Sequence, residues 1–325
     1  MPSAIVFTQP DQVELQNYES LALQPGEVRI ECEFSGVSQG TEIWALQGKR
    51  RELQFPTMPG YQSVGRIIEL GPDVTGVSLG DRLLYHSSRQ PDTLTETWMG
   101  GHPSDPVVSL NEGTRPQCVP EAAEPRTAAI AAMPAVAEVG HSMIDIAPGD
   151  LIVVIGQGLI GQCSAMFAKL RGGVVVTADL SATRRDLSKR HSADVVVDPT
   201  KQSLDAVVHD LRPDGADVVI DTTGRSAMFQ TAVDLLRRRG RIVLQGWYPD
   251  AIQFDFHQTH LKLPTIATPC GIGDTAKVLN LLALGRLDWG PLITDTVSPL
   301  QAGEIYRQLS AGTDQLGVVF DWSQL

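Results

Sequence analysis

The sequence predicts an α/β protein in which a β-rich domain precedes a doubly wound, mostly parallel sheet. Three observations carry the prediction. Leu151-Ile-Val-Val-Ile155 is an apolar run without polar alternation, the mark of a strand buried on both faces. It leads straight into Gly156-Gln-Gly158-Leu-Ile-Gly161, after which Leu159, Cys163, Met166 and Leu170 recur at helical spacing as far as Gly172-Gly173. The chain before about residue 120 instead alternates short strand-like segments with Gly/Pro turns.

Taken in order, the strand-like segments of the first part are Ala4–Phe7, Val28–Phe34, Ser63–Leu70 and Asp81–Tyr85. Turn clusters such as Gln24-Pro-Gly-Glu27 and Leu79-Gly-Asp81 separate them, so residues 1–121 read as a compact β-rich barrel. An Ala-rich helical stretch from residue 122 through Ala137 leads to the glycines. Beyond them come strands at Val174–Ala178, Val195–Val197, Val218–Asp221, Ile242–Gln245 and Thr265–Thr268. Helical segments fall at Ser203–Leu211 and Ser226–Arg239, and residues 122–273 complete a doubly wound sheet. The tail, 274–325, has a helix at Thr275–Leu284, a strand at Leu292–Val297, a helix from Pro299 to Leu309 and a strand at Gly317–Phe320. It is expected to return to the β-rich domain, with the chemistry in a cleft between domains.

A glycine motif between a strand and a helix is a dinucleotide-binding fingerprint of the Rossmann type. Gly156 makes the tight turn, Gly158 lets the backbone approach a pyrophosphate, and Gly161 lets the helix lie close to the sheet. The N–H groups of Leu159, Ile160 and Gly161 then face the phosphates at the positive end of the helix. Asp179 ends the next strand, where a carboxylate accepts hydrogen bonds from the adenosine ribose and repels a 2′-phosphate. The expected cofactor is NAD. NADP is disfavoured, although Arg184 and Arg185 follow closely enough to meet a 2′-phosphate. Ligands of such sheets bind beyond the carboxyl ends of the strands, which adds Thr222-Thr-Gly224, Gly246-Trp-Tyr248 and Cys270-Gly-Ile-Gly273 as cofactor candidates. Thr222, Gly224, Gly246 and Trp247 are the foremost of these.

Over 325 residues the net charge is −12, which argues against a nucleic-acid or anionic-membrane partner. No apolar run approaches the roughly 20 residues of a membrane span. The opening Met1-Pro-Ser-Ala-Ile-Val6 has no signal-peptide pattern, so the cytoplasm is expected. Cys32, Cys118, Cys163 and Cys270 include no C-x-x-C pair, which fits neither a disulfide framework nor a structural zinc site.

Further motifs complete the pattern. They are Pro25-Gly-Glu-Val28, Ser35-Gly-Val-Ser-Gln-Gly-Thr-Glu42, Pro59-Gly-Tyr-Gln-Ser-Val-Gly65, Gly80-Asp-Arg82, Pro148-Gly-Asp150 and Gly317-Val-Val-Phe-Asp-Trp322. With the glycine fingerprint they make the chain resemble the medium-chain dehydrogenase/reductase superfamily over nearly its whole length. The S-G-V-S-x-G-T-E and P-G-Y-Q forms, with Gln245-Gly-Trp-Tyr248, resemble the zinc-free branch that includes the bacteriochlorophyllide hydroxyethyl dehydrogenase. The resemblance implies a GroES-like catalytic domain, a Rossmann NAD-binding domain, and a homodimer formed through the strand near Thr265.

Zinc relatives hold their metal with a cysteine in the first motif, a His-Glu pair in the second and a third ligand before the Rossmann half. Here Ser38, Tyr61 and Gln62 stand at the first positions and Ala131–Met133 at the last. Hydroxyl, phenol and amide are poor zinc donors, so no metal is expected. Tyr61 is then the first candidate for the proton step, and it would need a cationic neighbour to act as a base near neutrality. Ser38, Gln62 and Thr41 are candidate donors to an oxyanion. Glu42 is a candidate base whose alternative role is structural, bonding backbone or an arginine.

Two other features are weaker. Lys49, Arg50 and Arg51 form a basic turn that could grip an anionic substrate, and a solvated turn is the commoner reading. His257 and His260 could share a helix face as ligands, against two ordinary polar histidines. The expected activity is zinc-independent, NAD-linked interconversion of a secondary alcohol and a ketone, on a hydroxyethyl tetrapyrrole or a sugar/polyol-like alcohol. Reduction of an activated C=C bond, or a non-catalytic dinucleotide sensor, are the alternatives.

Overall fold

Alternate residues of Leu151–Ile155 feed two different cores, which is why the segment has no polar position. Leu151, Val153 and Ile155 pack with Val176, Val219 and Ile242, whereas Ile152 and Val154 pack with Val175, Val218, Ile220 and Val243. The computed structural model describes residues 1–50, 52–111 and 115–325. These divide into two compact units, Met1–Ala132 with Thr275–Leu325, and Met133–Asp274.

The first unit begins with β1 (Ser3–Gln9) and β2 (Gln12–Asn17), an antiparallel pair. There follow β3 (Glu27–Gly36), α1 (Gln39–Leu46), β4 (Ser63–Leu70), β5 (Arg82–Tyr85), β6 (Val107–Ser109), β7 (Gln117–Cys118) and α2 (Pro125–Ala128). The second unit contains α3 (Ala132–Ser142), β8 (Leu151–Ile155), α4 (Leu159–Leu170), β9 (Val174–Ala178), α5 (Ala182–His191) and β10 (Val195–Val197). It continues with α6 (Leu204–Leu211), β11 (Ala216–Asp221), α7 (Met228–Leu235), β12 (Leu236–Leu244), α8 (Phe256–Lys262) and β13 (Thr265–Ala267). Then α9 (Thr275–Ala283), β14 (Ile293–Val297), α10 (Ala302–Ala311) and β15 (Gly317–Asp321) rejoin the first unit.

In the second unit the strand order is β10-β9-β8-β11-β12-β13, with every pairing parallel. The order reverses at β8, so the carboxyl ends of β8 and β11 flank the crevice where such sheets bind nucleotides. The first unit joins β14-β15-β3-β4-β5-β7 into one sheet, with β6 also on β3. The tail strand β15 pairs antiparallel with β3, setting Val319 against Gly36 and Phe320 against Ser35. Its core gathers Ile5, Phe7, Ile30, Leu83, Tyr306 and Phe320, with the Phe7 and Tyr306 rings edge to face at 5.0 Å.

Two sequence expectations are corrected. Composition drew the division at residues 121/122, but the first unit runs on to Ala132. The reason is local fastening: Trp289 Nε1 donates to Thr127 O at 2.7 Å, and Gly36 packs so closely on Ile130 and the Ala129 carbonyl that no Cβ fits between them. The helix expected over Ser226–Arg239 ends at Leu235, and Leu236–Leu244 is strand. Leu236 is buried opposite Ala216, Arg237 bonds the Asp217 carboxylate at 2.6 Å, and Arg239 takes the left-handed φ of 60° that a helix forbids. The sequence pattern also missed α1, whose Gly40, Thr41 and Ile43 are weak helix formers.

Trp289 is wholly buried and ties the tail to α2. Trp289→Ala should therefore cost about 3–5 kcal/mol, read as a lower urea midpoint by circular dichroism.

Candidate active site

The glycine turn is built as a tight strand-to-helix junction. Gly156 has φ 86°, its N–H donates to Ala178 O at 2.9 Å, and its carbonyl accepts from Thr222 Oγ1 at 3.0 Å. Thr222 N also donates to Ile155 O at 3.0 Å, so Thr222 clamps the end of β8. Gly161 lies so close to Gly156 O that any Cβ would collide with it. Gly158 is different. A Cβ there would meet nothing within 4 Å, and it is the N-cap of α4 without a side-chain cap bond. The first turn, Leu159, Ile160 and Gly161, thus opens beyond a glycine that leaves room for a phosphate.

Asp179 is engaged from both sides, accepting from Gln157 N at 2.6 Å and Ser181 N at 2.8 Å. A carboxylate has about four acceptor directions, so capacity for a ribose hydroxyl remains. Arg185 is committed to Asp198 at 2.8 Å and to the carbonyls of Asp179 and Leu180. The Arg184 Nε is buried without a hydrogen-bond partner among the described residues. Gly224 and Gly246 bring the ends of β11 and β12 together backbone to backbone, and Trp247 beside them is exposed. A feature absent from the sequence reading supports this edge: buried Asp221 accepts from Thr223 Oγ1 and from Tyr248 OH, both at 2.7 Å. Gly271 and Gly273, in the third candidate turn, both have positive φ.

In the first unit the proposed hydroxyl site is brought together by α1 and the start of β4. Ser38 Oγ and Tyr61 OH lie 2.6 Å apart, both buried, and Thr41 bonds the same phenol. Burial raises the Tyr61 pKa, with the Glu42 charge adding to it and the Ser38 and Thr41 bonds opposing. Arg50 contributes only a minor lowering, so among the described residues no cation brings this phenol toward a base near neutrality. Trp98 leans over the Tyr61 ring at 5.5 Å, and the Arg50 guanidinium sits over Trp98 at 5.3 Å.

Glu42 is wholly buried and has three donors. It accepts from Ser38 N at 2.6 Å, from His102 Nε2 at 3.1 Å and from Tyr306 OH. The arginine considered as its partner is replaced by a histidine and a tyrosine. Beyond it, His102 Nδ1 meets Ser35 Oγ at 2.8 Å, and Trp322 Nε1 donates to the same oxygen at 2.8 Å. One chain of donors satisfies these atoms: Trp322 Nε1–H to Ser35 Oγ, the Ser35 hydroxyl to His102 Nδ1, and His102 Nε2–H to the Glu42 carboxyl. Through these bonds Glu42 anchors Ser38, His102 and Tyr306.

Gln62 is wholly buried, and its side-chain Oε1 and Nε2 both lack hydrogen-bond partners among the described residues. Nearby, His86 Nδ1 lies 2.8 Å from Tyr61 O. The segment Ala131–Met133 is buried and apolar. No group of three or more His, Cys, Asp or Glu side chains converges among the described residues. The hydroxyl, phenol and amide at the zinc-ligand positions do not fit zinc.

The remaining candidates are the basic turn and the two histidines of α8. Lys49 sits over Trp44 at 5.7 Å and Arg50 also pairs with Glu52 at 2.7 Å, while Arg51 lies outside the described residues. His257 and His260 are exposed on α8, His260 stacked on Phe256 at 5.6 Å.

Comparison with known proteins decides the family. The GroES-like domain of alcohol dehydrogenases matches residues 24–114, and the zinc-binding dehydrogenase family matches residues 160–284. The chain belongs to the zinc-binding-type, medium-chain dehydrogenase/reductase superfamily. Within this superfamily it is 27% identical to 2-desacetyl-2-hydroxyethyl bacteriochlorophyllide A dehydrogenase of Cereibacter sphaeroides, over 98% of each chain. It is 28% identical to a sorbitol dehydrogenase of Halalkalibacterium halodurans, over 95% of this chain and 96% of that one. In fold it is similar to 2R,3R-butanediol dehydrogenase from Bacillus subtilis, with a TM-score of 0.88 and 99% of both chains covered at 19% identity. The superfamily members it resembles are alcohol and polyol dehydrogenases using nicotinamide cofactors.

Sequence reasoning about this member missed His86, His102, Tyr306 and Trp322 as parts of the site. Only Trp322 carried a signal, through the closing Phe-Asp-Trp. Gly161→Ala should weaken NADH binding at least about tenfold, because the added carbon displaces the Gly156 carbonyl of the phosphate turn; titration of NADH fluorescence measures it. Glu42→Ala, which strands three buried donors, should lower stability by about 3 kcal/mol or more, seen as a drop in Tm.

Proposed function

We propose that the protein is a cytoplasmic, zinc-independent, NAD-linked dehydrogenase that interconverts a secondary alcohol and a ketone. The observation that carries this reading is the buried Ser38–Tyr61 hydroxyl pair at the positions where zinc relatives hold metal, in a chain that keeps the dinucleotide turn. The substrate class is a sugar- or polyol-like alcohol or a hydroxyethyl tetrapyrrole, the range suggested by the relatives named above.

Bound at the glycine turn, NAD supplies the hydride acceptor. Asp179 favours it over NADP by offering the ribose a carboxylate and a 2′-phosphate a repulsion. The chain's own residues deal with the substrate oxygen. Ser38 and Tyr61 hold it by hydrogen bonds, and both bonds strengthen as negative charge develops there. Burial keeps the Tyr61 phenol protonated at neutral pH, which suits it to give a proton when a ketone is reduced. In oxidation the same oxygen must accept that proton. The deprotonated form gains population only as pH rises toward and past the ordinary tyrosine value of about 10.

Alcohol oxidation should therefore climb steadily with pH into the alkaline range after chelator treatment, followed as NAD reduction at 340 nm on sorbitol, other polyols and hydroxyethyl tetrapyrroles. Tyr61→Phe should lower kcat by about 10²-fold or more and flatten that rise. Tight NADH binding without turnover of any alcohol would replace the reading with the sensor, or direct it to C=C reduction. Asp179→Ser should lower the NAD-to-NADP ratio of kcat/KM by about tenfold or more, measured with both cofactors.

A homodimer through β13 is part of the proposal. That strand is the edge of the six-stranded sheet, and Leu261, Leu263 and Ile266 beside it are exposed. An unpaired apolar edge is a surface that favours strand pairing with a second copy.

A further inference from the structure

In the second unit β9 and β10 run parallel with Val197 beside Ala178, so the two strands stop side by side, one residue short of Asp198 and Asp179. Arg185, on α5, spans the two ends. Its Nη1 donates to the carbonyls of Asp179 at 2.8 Å and Leu180 at 2.7 Å, and its Nη2 meets Asp198 Oδ2 at 2.8 Å. Both side chains of this ion pair are largely withdrawn from water, Arg185 to 15% exposure and Asp198 to 14%. The guanidinium is thus held against the main chain of the residue proposed above to meet the adenosine ribose.

The two kinds of bond do different things. The carbonyls fix where the arginine sits, because a neutral acceptor orients a guanidinium without cancelling its charge. Asp198 cancels the charge, and it is itself fixed: its Oδ1 accepts from Thr200 Oγ1 at 2.6 Å and from Thr200 N at 3.1 Å. The Thr200 hydroxyl does most to hold the Asp198 carboxyl below the usual aspartate range, and the Thr200 N–H, Arg185 and Lys201 add to it. The carboxylate is therefore charged at neutral pH. A 2′-phosphate arriving at the end of β9 brings roughly two negative charges. It would meet the Asp179 carboxylate there, beside an arginine already matched by Asp198.

We propose that Asp198 is a second determinant of cofactor choice, acting through Arg185: by neutralising this arginine it withholds a ready-placed cation from a 2′-phosphate and so favours NAD. This rests on the NAD reading above and extends it beyond Asp179. Asp198 is a positioning residue, since it touches the arginine and not the cofactor. Relieved of its carboxylate but still tethered by two carbonyls, Arg185 presents a charged, planar set of donors of the kind that binds phosphate. The expected result of removing Asp198 is therefore a gain of NADP binding. Loss of an ion pair that served stability alone would give no such gain.

Asp198→Asn tests this, because it keeps an oxygen for Thr200 and removes the charge opposite Arg185. The full chain is titrated with NADH and NADPH by cofactor fluorescence, and with adenosine 2′,5′-bisphosphate and AMP by calorimetry. In the variant the Kd for NADPH should fall by about tenfold, the worth of one charge-assisted hydrogen bond. Adenosine 2′,5′-bisphosphate should gain on AMP in parallel. Adding Arg185→Gln to Asp198→Asn should abolish both gains. A cooperative thermal unfolding transition certifies the fold of each variant, and Asp198→Ser, which also keeps an oxygen, takes the place of Asp198→Asn if that variant does not fold. An NADPH affinity unmoved in a folded variant, or a gain that survives Arg185→Gln, overturns the proposal and leaves the NAD reading standing. Wild type that binds NADPH as tightly as NADH overturns the NAD reading and the proposal with it. The NADPH gain without turnover of any alcohol supports the role of Asp198 and removes only the dehydrogenase reading.

Discussion

The buried carboxylate of Glu42 is the interaction on which the first unit's site depends. An unpaired charge in a protein interior costs several kcal/mol, and this one is compensated by three donors drawn from three parts of the chain. The Ser38 backbone N–H fixes the start of α1 and with it the hydroxyl that meets Tyr61. His102 links the carboxylate to Ser35 and Trp322, and Tyr306 brings in α10 from the tail. The Ser38–Tyr61 hydroxyl pair is thus held in place by a buried network behind it, which is how a group of side chains reaches a single geometry.

The second unit uses the same physics at the ends of its strands. Asp179 draws the Gln157 N–H of the glycine turn toward the end of β9, so the acid and the glycine turn are set relative to one another. Asp221 anchors the turns after β11 and β12 through Thr223 and Tyr248. Gln245, read from sequence as part of a family motif, is a strut: it accepts from Ser164 and donates to the carbonyls of Val136 and Ala137.

The fingerprint unit was legible in the sequence because its signals are local. A strand, a glycine turn, a helix and an acid follow one another within one stretch, and each residue acts on its near neighbours. Ser38, Tyr61 and Gln62 were found only as substitutions in familiar motifs, and their partners were not. Glu42 and Tyr306 are 264 positions apart and Ser35 and Trp322 are 287 apart, distances over which no periodicity speaks. The helix placed over Ser226–Arg239 failed for a related reason. Leu236–Arg239 reads as helix by itself, and only pairing with β11 and the bond of Arg237 to Asp217 makes it strand.

These long spans carry a consequence for biosynthesis. The fingerprint unit is one continuous stretch, Met133–Asp274, and holds all six of its strands within it. The unit with the hydroxyl pair closes only with β15, Tyr306 and Trp322. Domains form in the order in which the ribosome delivers them whole. The middle segment of the chain is then the first able to fold, while residues 1–132 wait, with β3 lacking its β15 neighbour, until residues 317–321 have been made. That interval is when the nascent chain is most exposed to aggregation and most in need of a chaperone.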